Sequence, residues 1–291
     1  MSNHSEISFA FFGTSEFAVL ILAELKSAGF LPRLVVTAPD KPQGRKLIIT
    51  SPPTKIWAKE NNLPVWQPQT LRELDALTYL QNFPTDHGFR AFDIFIVAAY
   101  GLIIPANIID IPRHDTINVH PSLLPRWRGA SPIQGALLND DETGISIMKI
   151  DAELDHGPVI YQEKVATPVW PLPFSELHDF LAKQSGKLLA SNLPLWLKHG
   201  FGTKEQDHTQ ATYTKKIKKE DGLIDLSDDA LINYRKFCAY TPWPSVYFFE
   251  RGKRVIIKDA TLENGIFVPK QVLPEGSKVI DWGDYRQSRS V

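Results

Sequence analysis

The hydrophobic positions near the start of the chain follow two spacings, which together predict a strand, a helix and a second strand. Residues 7–12 form a short apolar run, as in a buried strand. Between residues 17 and 25 the apolar positions recur every three or four residues, which predicts a helix. Residues 34–38 form a β-branched run that predicts another strand. This order favours an α/β fold, with a parallel sheet between layers of helices.

The pattern repeats loosely as far as residue 150. Helical spacing covers residues 54–61 and 75–81, and the apolar run over residues 94–99 predicts a buried strand. Residues 82–91 include proline, histidine and glycine, and we interpret them as a surface loop. The alternation over residues 145–150 predicts a strand with one face toward solvent.

The pattern of apolar and polar residues changes in the last third of the chain. A predicted helix over residues 175–197 is expected to bend or end at Pro194. Residues 198–210 are polar and lack periodicity, so they predict a linker. A helix over residues 228–240 and several short apolar runs follow, which predict a small, mostly β domain with strands at 246–249, 255–257, 265–268 and 271–273.

Composition and charge exclude several classes of protein. The chain has 291 residues, 43% of them hydrophobic, enough for one large folded domain or two ordinary ones. The single cysteine, Cys238, excludes an internal disulfide bond and a thiolate metal site. No apolar run reaches about 18 residues, and residues 1–6 lack a basic flank and an apolar core, so we expect a cytoplasmic protein without a membrane segment. Because the net charge is −1, contacts with nucleic acid would require local basic patches.

The predicted first strand-to-helix turn argues against a dinucleotide site. It contains one glycine, Gly13, whereas the dinucleotide fingerprint needs three for close approach of pyrophosphate and helix. A phosphate site at the helix N-terminus and an ordinary turn are equal alternatives for this segment.

Asn118 and His120 are candidate catalytic residues. Side chains two positions apart in a strand point to the same face, and Pro121 ends the strand just beyond them. Ligands of open α/β sheets bind outside the carboxyl ends of strands. An amide donor beside an imidazole suits acyl transfer, in which one group stabilises an oxyanion and the other moves a proton. The alternative is a buried pair that satisfies loop backbone groups.

Asp155 is a third candidate, because it lies in a predicted loop after the strand at 145–150. A carboxylate there could orient His120 or accept a proton. The alternative is a turn residue ahead of Gly157. Spacing alone does not bring Asp155 to His120.

Two blocks around these residues resemble the family of formyltransferases that use 10-formyltetrahydrofolate. They are NVHPSLLPRWRGA at 118–130 and LDHG at 154–157. The likeness covers nearly the whole chain, in the family's order, and is closest to the members that act on methionyl-tRNA. Further matching segments are FGTSEFA (12–18), PDKPQGRK (39–46), AAYGLIIP (98–105), SPIQ (131–134), ATY (211–213) and PWP (242–244).

The resemblance implies a reaction and a role for each candidate. In the family, the amino group of methionine on initiator tRNA attacks the formyl carbon, a tetrahedral oxyanion forms, and tetrahydrofolate leaves through N10. The product, N-formylmethionyl-tRNA, serves translation initiation. By this resemblance Asn118 donates a hydrogen bond to the oxyanion, His120 stabilises it, and Asp155 holds His120 and relays the proton of the amine.

The resemblance also implies two binding regions. The folate co-substrate would lie along Ser122, Leu123, Leu124 and Pro125, and no metal is expected because the formyl donor is already activated. A loop with Arg45 as its key residue would enter the tRNA acceptor stem, and the basic candidates for tRNA contact are Lys41, Arg45, Lys46, Lys215, Lys216, Lys218 and Lys219. Without the resemblance, these segments are interpreted as solvated surface.

The domain organisation follows from the same resemblance. It implies a Rossmann-like catalytic domain over residues 1–197, a linker over 198–210 and an OB-like tRNA-binding domain over 211–291. After residue 257 the chain has fewer predicted strands than the family pattern, so we expect an abbreviated or open barrel. We expect the protein to act as a monomer.

Two other functions compete with this one. A formyltransferase for a small amine, such as an amino sugar nucleotide, would keep the catalytic trio and lose the basic loop. A non-catalytic nucleic-acid-binding protein on the same fold would have no use for all three candidates. The basic loop and residues 242–244 argue against the first, and the intact trio argues against the second.

Overall fold

The structure is a computed structural model that describes residues 7–44, 47–200 and 202–288. The strands, in chain order, are β1 (Phe9–Gly13), β2 (Leu34–Val36), β3 (Lys41–Gln43), β4 (Ile48–Thr50), β5 (Val65–Trp66), β6 (Ile94–Ala98), β7 (Thr116–His120), β8 (Arg128–Gly129), β9 (Thr143–Lys149), β10 (Val159–Val165), β11 (Tyr213–Thr214), β12 (Tyr247–Glu250), β13 (Lys253–Glu263), β14 (Ile266–Pro274) and β15 (Ile280–Asp281). The helices are α1 (Glu16–Ser27), α2 (Pro53–Glu60), α3 (Leu74–Asp86), α4 (Ala106–Ile109), α5 (Pro132–Asn139), α6 (Phe174–His199), α7 (Ala230–Tyr240) and α8 (Trp282–Gln287). Within the described residues, none of the helices is both long and apolar enough to cross a membrane.

The chain divides into two compact units. The first takes in the described residues up to 128, with 144–164 and 179–212. The second takes in residues 129–143 and 165–178, together with the described residues from 213 onward.

The first unit is built on a seven-stranded sheet with the order β10-β9-β7-β6-β1-β2-β5. β1 pairs in parallel with β2 and β6, and β6 pairs in parallel with β7. β9 runs antiparallel to β7. The chain first builds outward from β1 through β2 to β5 and then outward on the other side through β6 to β7. The strand order therefore reverses between β1 and β6, which is where ligands bind in open α/β sheets.

The central strands are apolar because both faces of the sheet are covered. All residues of β1, β2 and β6 are buried, as expected for parallel strands under helices. A Cβ atom at Gly13 would lie 2.6 Å from Ala18 Cβ and 2.9 Å from the Ala98 carbonyl oxygen. Glycine at this position therefore allows α1 to approach the ends of β1 and β6 closely. The predicted α/β domain followed by a smaller β domain is confirmed.

The interpretation of residues 82–91 as a surface loop is wrong for their first half. Helix α3 continues to Asp86 with Pro84 inside it. Leu80 and Phe83 lie on one helical face and are buried in the apolar cluster beneath the sheet. This packing outweighs the hydrogen bond that proline removes from the last turn.

Two further expectations are corrected by buried contacts. Helix α6 does not end at Pro194 but continues to His199, because Leu193 and Trp196 keep the same face buried. The predicted wet face of the strand at 145–150 is dry: Ser146 is fully buried in β9. Its hydroxyl group has partners in the loop that follows β7.

The second unit contains an antiparallel sheet with the order β12-β13-β14-β15. The runs predicted as two strands at 265–268 and 271–273 form the single strand β14, which begins at Ile266, and β13 opposite it shows a register shift near Asp259. Helix α7 packs against β13 and β14, with Phe237 among its buried residues. Over the described strands the sheet is open, with β12 and β15 at its two edges.

Candidate active site

Asn118 and His120 lie within the last three residues of β7, next to the point where the strand order reverses. In the register with β9, Asn118 lies opposite Met148 and His120 opposite Ser146. β7 ends at His120, and the next residue, Pro121, has no N–H to continue the ladder. β7 pairs with β6 on one side and with β9 on the other. It therefore places both polar side chains at the carboxyl edge of the sheet.

The structure brings Asp155 to these two residues. The Asn118 amide Nδ2 donates to Asp155 Oδ1 at 3.3 Å. His120 Nδ1 lies 3.7 Å from the same oxygen. The exposed fractions of the His120 and Asp155 side chains are 5% and 12%, so the carboxylate faces the amide and the imidazole in a largely dry setting, where electrostatic interactions are strong.

The tautomer of His120 is determined by a backbone contact. His120 Nε2 lies 2.9 Å from the carbonyl oxygen of Trp127. A carbonyl oxygen can only accept, so Nε2 carries a hydrogen whether the ring is neutral or charged. Nδ1, which faces Asp155, is therefore the ring nitrogen that gains or loses a proton.

Ser146 holds the loop that contains the predicted folate residues. Its hydroxyl donates to the Ser122 carbonyl at 2.7 Å and accepts from the Leu124 N–H at 3.0 Å. Gln162 Nε2 donates to the Leu124 carbonyl and to Ser146 Oγ, both at 2.8 Å. The Ser122 and Leu124 side chains are buried, whereas Leu123 and Pro125 are half-buried. Of these four side chains, Leu123 and Pro125 therefore keep some accessible surface.

The predicted tRNA contacts lie in separate parts of the chain. Lys41 is exposed on β3. Arg45 and Lys46 lie outside the described residues. The second basic run belongs to the second unit, and its lysines are all exposed: Lys215, Lys216, Lys218 and Lys219.

Several buried polar residues near the site were not predicted. Ser146 lies in a strand for which the alternation predicts one solvent-facing side, Gln206 falls in the segment interpreted as a linker, and Arg128 belongs to a block that carries the family resemblance. No periodicity marks these residues, because their positions depend on contacts between segments distant in the sequence. Among the His, Cys, Asp and Glu residues that the structure describes, no group of three or more could hold a metal ion.

Family models match both halves of the chain. The model described as "Formyl transferase" matches residues 6–189, and the model described as "Formyl transferase, C-terminal domain" matches residues 216–282. The first model alone covers more than half of the chain and contains the three residues at the end of β7 and in the turn after β9.

Relatives and solved structures agree with these models. A methionyl-tRNA formyltransferase of Chloroflexus aggregans is 40% identical over 253 residues, which are 87% of this chain and 79% of that protein. The structure of a methionyl-tRNA formyltransferase from Clostridium thermocellum has a TM-score of 0.57 at 14% identity, with 94% and 99% of the two chains covered.

A third match is a structure solved with a nucleotide-linked amino sugar. An N-formyltransferase from Helicobacter canadensis, solved with folinic acid and dTDP-3-aminofucose, has a TM-score of 0.63 at 16% identity, with 94% and 98% covered. At this identity, and at that of the Clostridium enzyme, the likeness concerns the fold alone. The family models and the 40% identity carry the assignment: the chain belongs to the methionyl-tRNA formyltransferase family of formyltransferases.

Proposed function

We propose that this protein transfers the formyl group of 10-formyltetrahydrofolate to the amino group of methionine on initiator tRNA, which gives N-formylmethionyl-tRNA for translation initiation. The observation that carries this proposal is the convergence of Asn118 Nδ2 and His120 Nδ1 on one oxygen of Asp155 at the edge of the sheet. The family uses a folate-type co-substrate, and the 40%-identical relatives act on methionyl-tRNA by name.

The reaction proceeds in two stages at this edge. The neutral amine attacks the formyl carbon and a C–N bond forms, which places a negative charge on the formyl oxygen. An Asn amide carries two N–H groups, so Asn118 can donate to the oxyanion while it also contacts Asp155. One such donor contributes about 2.7–4 kcal/mol to the transition state.

The second stage moves a proton and releases tetrahydrofolate. The attacking nitrogen loses a proton, which Asp155 accepts and relays, and the bond between the formyl carbon and N10 breaks while N10 receives a proton. Because Nε2 of His120 is committed to the Trp127 carbonyl, the exchange takes place at Nδ1. General acid–base catalysis of this kind contributes about 10²–10⁴ in rate.

We propose that the binding regions divide between two domains whose bounds differ from those of the compact units: residues 1–197 form the catalytic domain and 211–291 a tRNA-binding domain. Residues 198–210 connect them as a linker, of which Gln206 is buried in the first unit. The folate lies along residues 122–125, where Leu123 and Pro125 offer apolar surface to a flat ring system. The tRNA phosphates are contacted by the basic residues named above, Arg45 foremost, and the protein works as a monomer in the cytoplasm.

The acceptor can be tested directly by following a labelled formyl group. The purified protein is incubated with 10-formyltetrahydrofolate labelled at the formyl carbon and with either methionyl initiator tRNA or a panel of nucleotide-linked amino sugars. We expect label in the tRNA, released by mild base as N-formylmethionine.

The matched control is the same tRNA carrying N-acetylmethionine, which has no free amine and should stay unlabelled. Label in an amino sugar with none in the tRNA would overturn the proposed acceptor and leave formyl transfer standing. An absence of label in every acceptor would overturn the proposed activity.

A further inference from the structure

The turn that carries Asp155 has a backbone conformation that needs external support. Asp155 has a φ of 48°, in the left-handed region, and a non-glycine residue keeps such a conformation only where the surrounding structure stabilises it. At Gly157, an added Cβ atom would lie 2.1 Å from the Lys149 carbonyl oxygen, so the turn is pressed against the end of β9. Its shape therefore depends on contacts from elsewhere in the unit.

Gln206 provides these contacts from a distant part of the sequence. Its amide Nε2 donates to the carbonyl oxygens of Asp155 at 3.0 Å and Gly157 at 2.7 Å. The residue is 7% exposed. One buried side chain thus satisfies two carbonyl groups of the turn, one of them belonging to Asp155 itself.

Arg128 determines which way the Gln206 amide points. Arg128 Nη2 and Nε donate to Gln206 Oε1 at 2.7 Å and 3.2 Å. Because guanidinium groups only donate, the amide oxygen must face Arg128, and the amide nitrogen must face the turn. Arg128 is 1% exposed, and its Nη2 also contacts His208 Nδ1 at 2.9 Å.

The same short segment also holds His120. Trp127, which precedes Arg128, accepts from His120 Nε2 through its carbonyl oxygen. Residues 127 and 128 therefore reach His120 by a backbone group and the Asp155 turn by a side chain. A single piece of chain fixes both partners of the His120–Asp155 pair.

We propose that Gln206, oriented by Arg128, is a positioning residue for formyl transfer that places the Asp155 carboxylate against Asn118 and His120. The inference rests on the proposed role of Asp155 and adds to it a buried residue that touches neither substrate. It predicts that kcat depends on the Gln206 amide only while Asp155 carries a carboxylate.

The test uses Gln206→Glu, which keeps the size of the side chain and its contact with Arg128 but replaces the donor nitrogen with an oxygen. That oxygen would face two carbonyl oxygens, so the turn is expected to shift. A displacement of about 1 Å costs about 10²-fold, and we expect kcat to fall by about 10- to 100-fold with both KM values within about twofold. Gln210→Glu, the same change at an exposed position in the same segment, should leave kcat unchanged.

A double-mutant cycle separates positioning from general damage. In the Asp155→Asn background, Gln206→Glu should change the residual kcat by less than about twofold, because residues acting as a unit are not additive. An equal fall in both backgrounds, or a rise in KM with kcat unchanged, would overturn the proposal. Gln206→Asn, whose amide is one methylene too short to reach both carbonyl groups, should give the same pattern if the Glu variant does not fold.

A crystal structure of the variant supplies a readout that does not depend on activity. We expect the distance between Asp155 Oδ1 and Asn118 Nδ2, 3.3 Å here, to lengthen by about 1 Å or more. An unchanged distance would refute the positioning role even if the protein transferred no formyl group. Wild-type protein in the same assay reports separately on the proposed function.

Discussion

The edge of the central sheet buries polar side chains, whereas the β3–β4 hairpin exposes apolar ones. At the sheet edge, polar side chains are buried: His120 is 4% exposed, and Ser146 is fully buried. In the hairpin, apolar side chains are exposed, with Leu47 at 70%, Ile48 at 63% and Ile49 at 65%. Buried polar groups with good partners are held in one geometry, whereas exposed apolar groups offer surface to another molecule.

Asp40, at the base of the hairpin, is held by side-chain hydrogen bonds. Asp40 accepts from Gln67 Nε2 at 2.8 Å and from Lys55 Nζ at 2.7 Å. The hydrogen bond from Gln67 and then that from Lys55 hold the pKa of Asp40 below its ordinary value, so the carboxylate is charged at neutral pH. Under the proposed function, the chemistry depends on groups fixed within the fold, whereas the hairpin offers exposed groups for recognition of the acceptor.

The largest loss of activity is expected for a residue that is buried at the sheet edge. His120→Ala should lower kcat by about 10³-fold, because it removes the proton-exchanging ring from the site. The KM for tRNA should change by less than about threefold, since the ring lies at the sheet edge rather than on the hairpin. Steady-state kinetics with labelled formyl donor measures both constants. His114→Ala, the same change at an exposed position, is the control, and near-normal turnover by the His120 variant would remove His120 from the mechanism.

Two isoleucines, one buried in the sheet and one exposed on the hairpin, should differ in their contribution to stability. Ile147→Ala, at a fully buried position on β9 opposite Val119, should lower the free energy of unfolding by about 2–5 kcal/mol. Ile48→Ala, on the hairpin, should lower it by less than about 0.5 kcal/mol. Urea denaturation of both variants measures these values. Comparable losses would show that the hairpin packs against the fold, contrary to the exposure described here.

A smaller effect is expected on the recognition side. Arg45→Ala should lower kcat/KM for methionyl-tRNA by about tenfold and reduce the slope of log binding affinity against log salt by about 0.7–0.9, as for the loss of one phosphate contact. Binding titrations at several salt concentrations measure the slope. Arg72→Ala, at an exposed position in the described chain, serves as the charge-matched control. An unchanged slope would exclude a phosphate contact by Arg45.

The strands and the Asn118–His120 pair could be predicted because they follow local rules. Apolar runs identify β1, β2 and β6, and the two-residue period of a strand places the amide and the imidazole on one face. These features need no knowledge of which segments meet.

The rest depends on contacts between distant segments. Asp155 lies in a turn that accepts a hydrogen bond from Gln206, which is 51 residues away in the sequence. Local patterns therefore do not predict that Asp155 lies beside His120, and only the family resemblance implies this contact. The alternation of Ser146 with apolar residues predicts a solvent-facing side for this strand. The Ser146 hydroxyl is instead buried, because hydrogen bonds with the loop after β7 satisfy it there. The local pattern does not predict the helical turn around Pro84. Proline ordinarily ends a helix, but here the burial of Phe83 outweighs that tendency.

The single-turnover rate constant of Asp155→Asn is the measurement that bears most closely on the proposed mechanism. This change keeps the size of the side chain and the backbone contact with Gln206, and it removes the charge that accepts and relays the proton. With enzyme in excess and both substrates saturating, formyl transfer to methionyl-tRNA should slow by about 10³-fold, while Asp110→Asn, an exposed control, keeps the wild-type rate. A rate constant within about threefold of wild type would contradict the proposed role of Asp155.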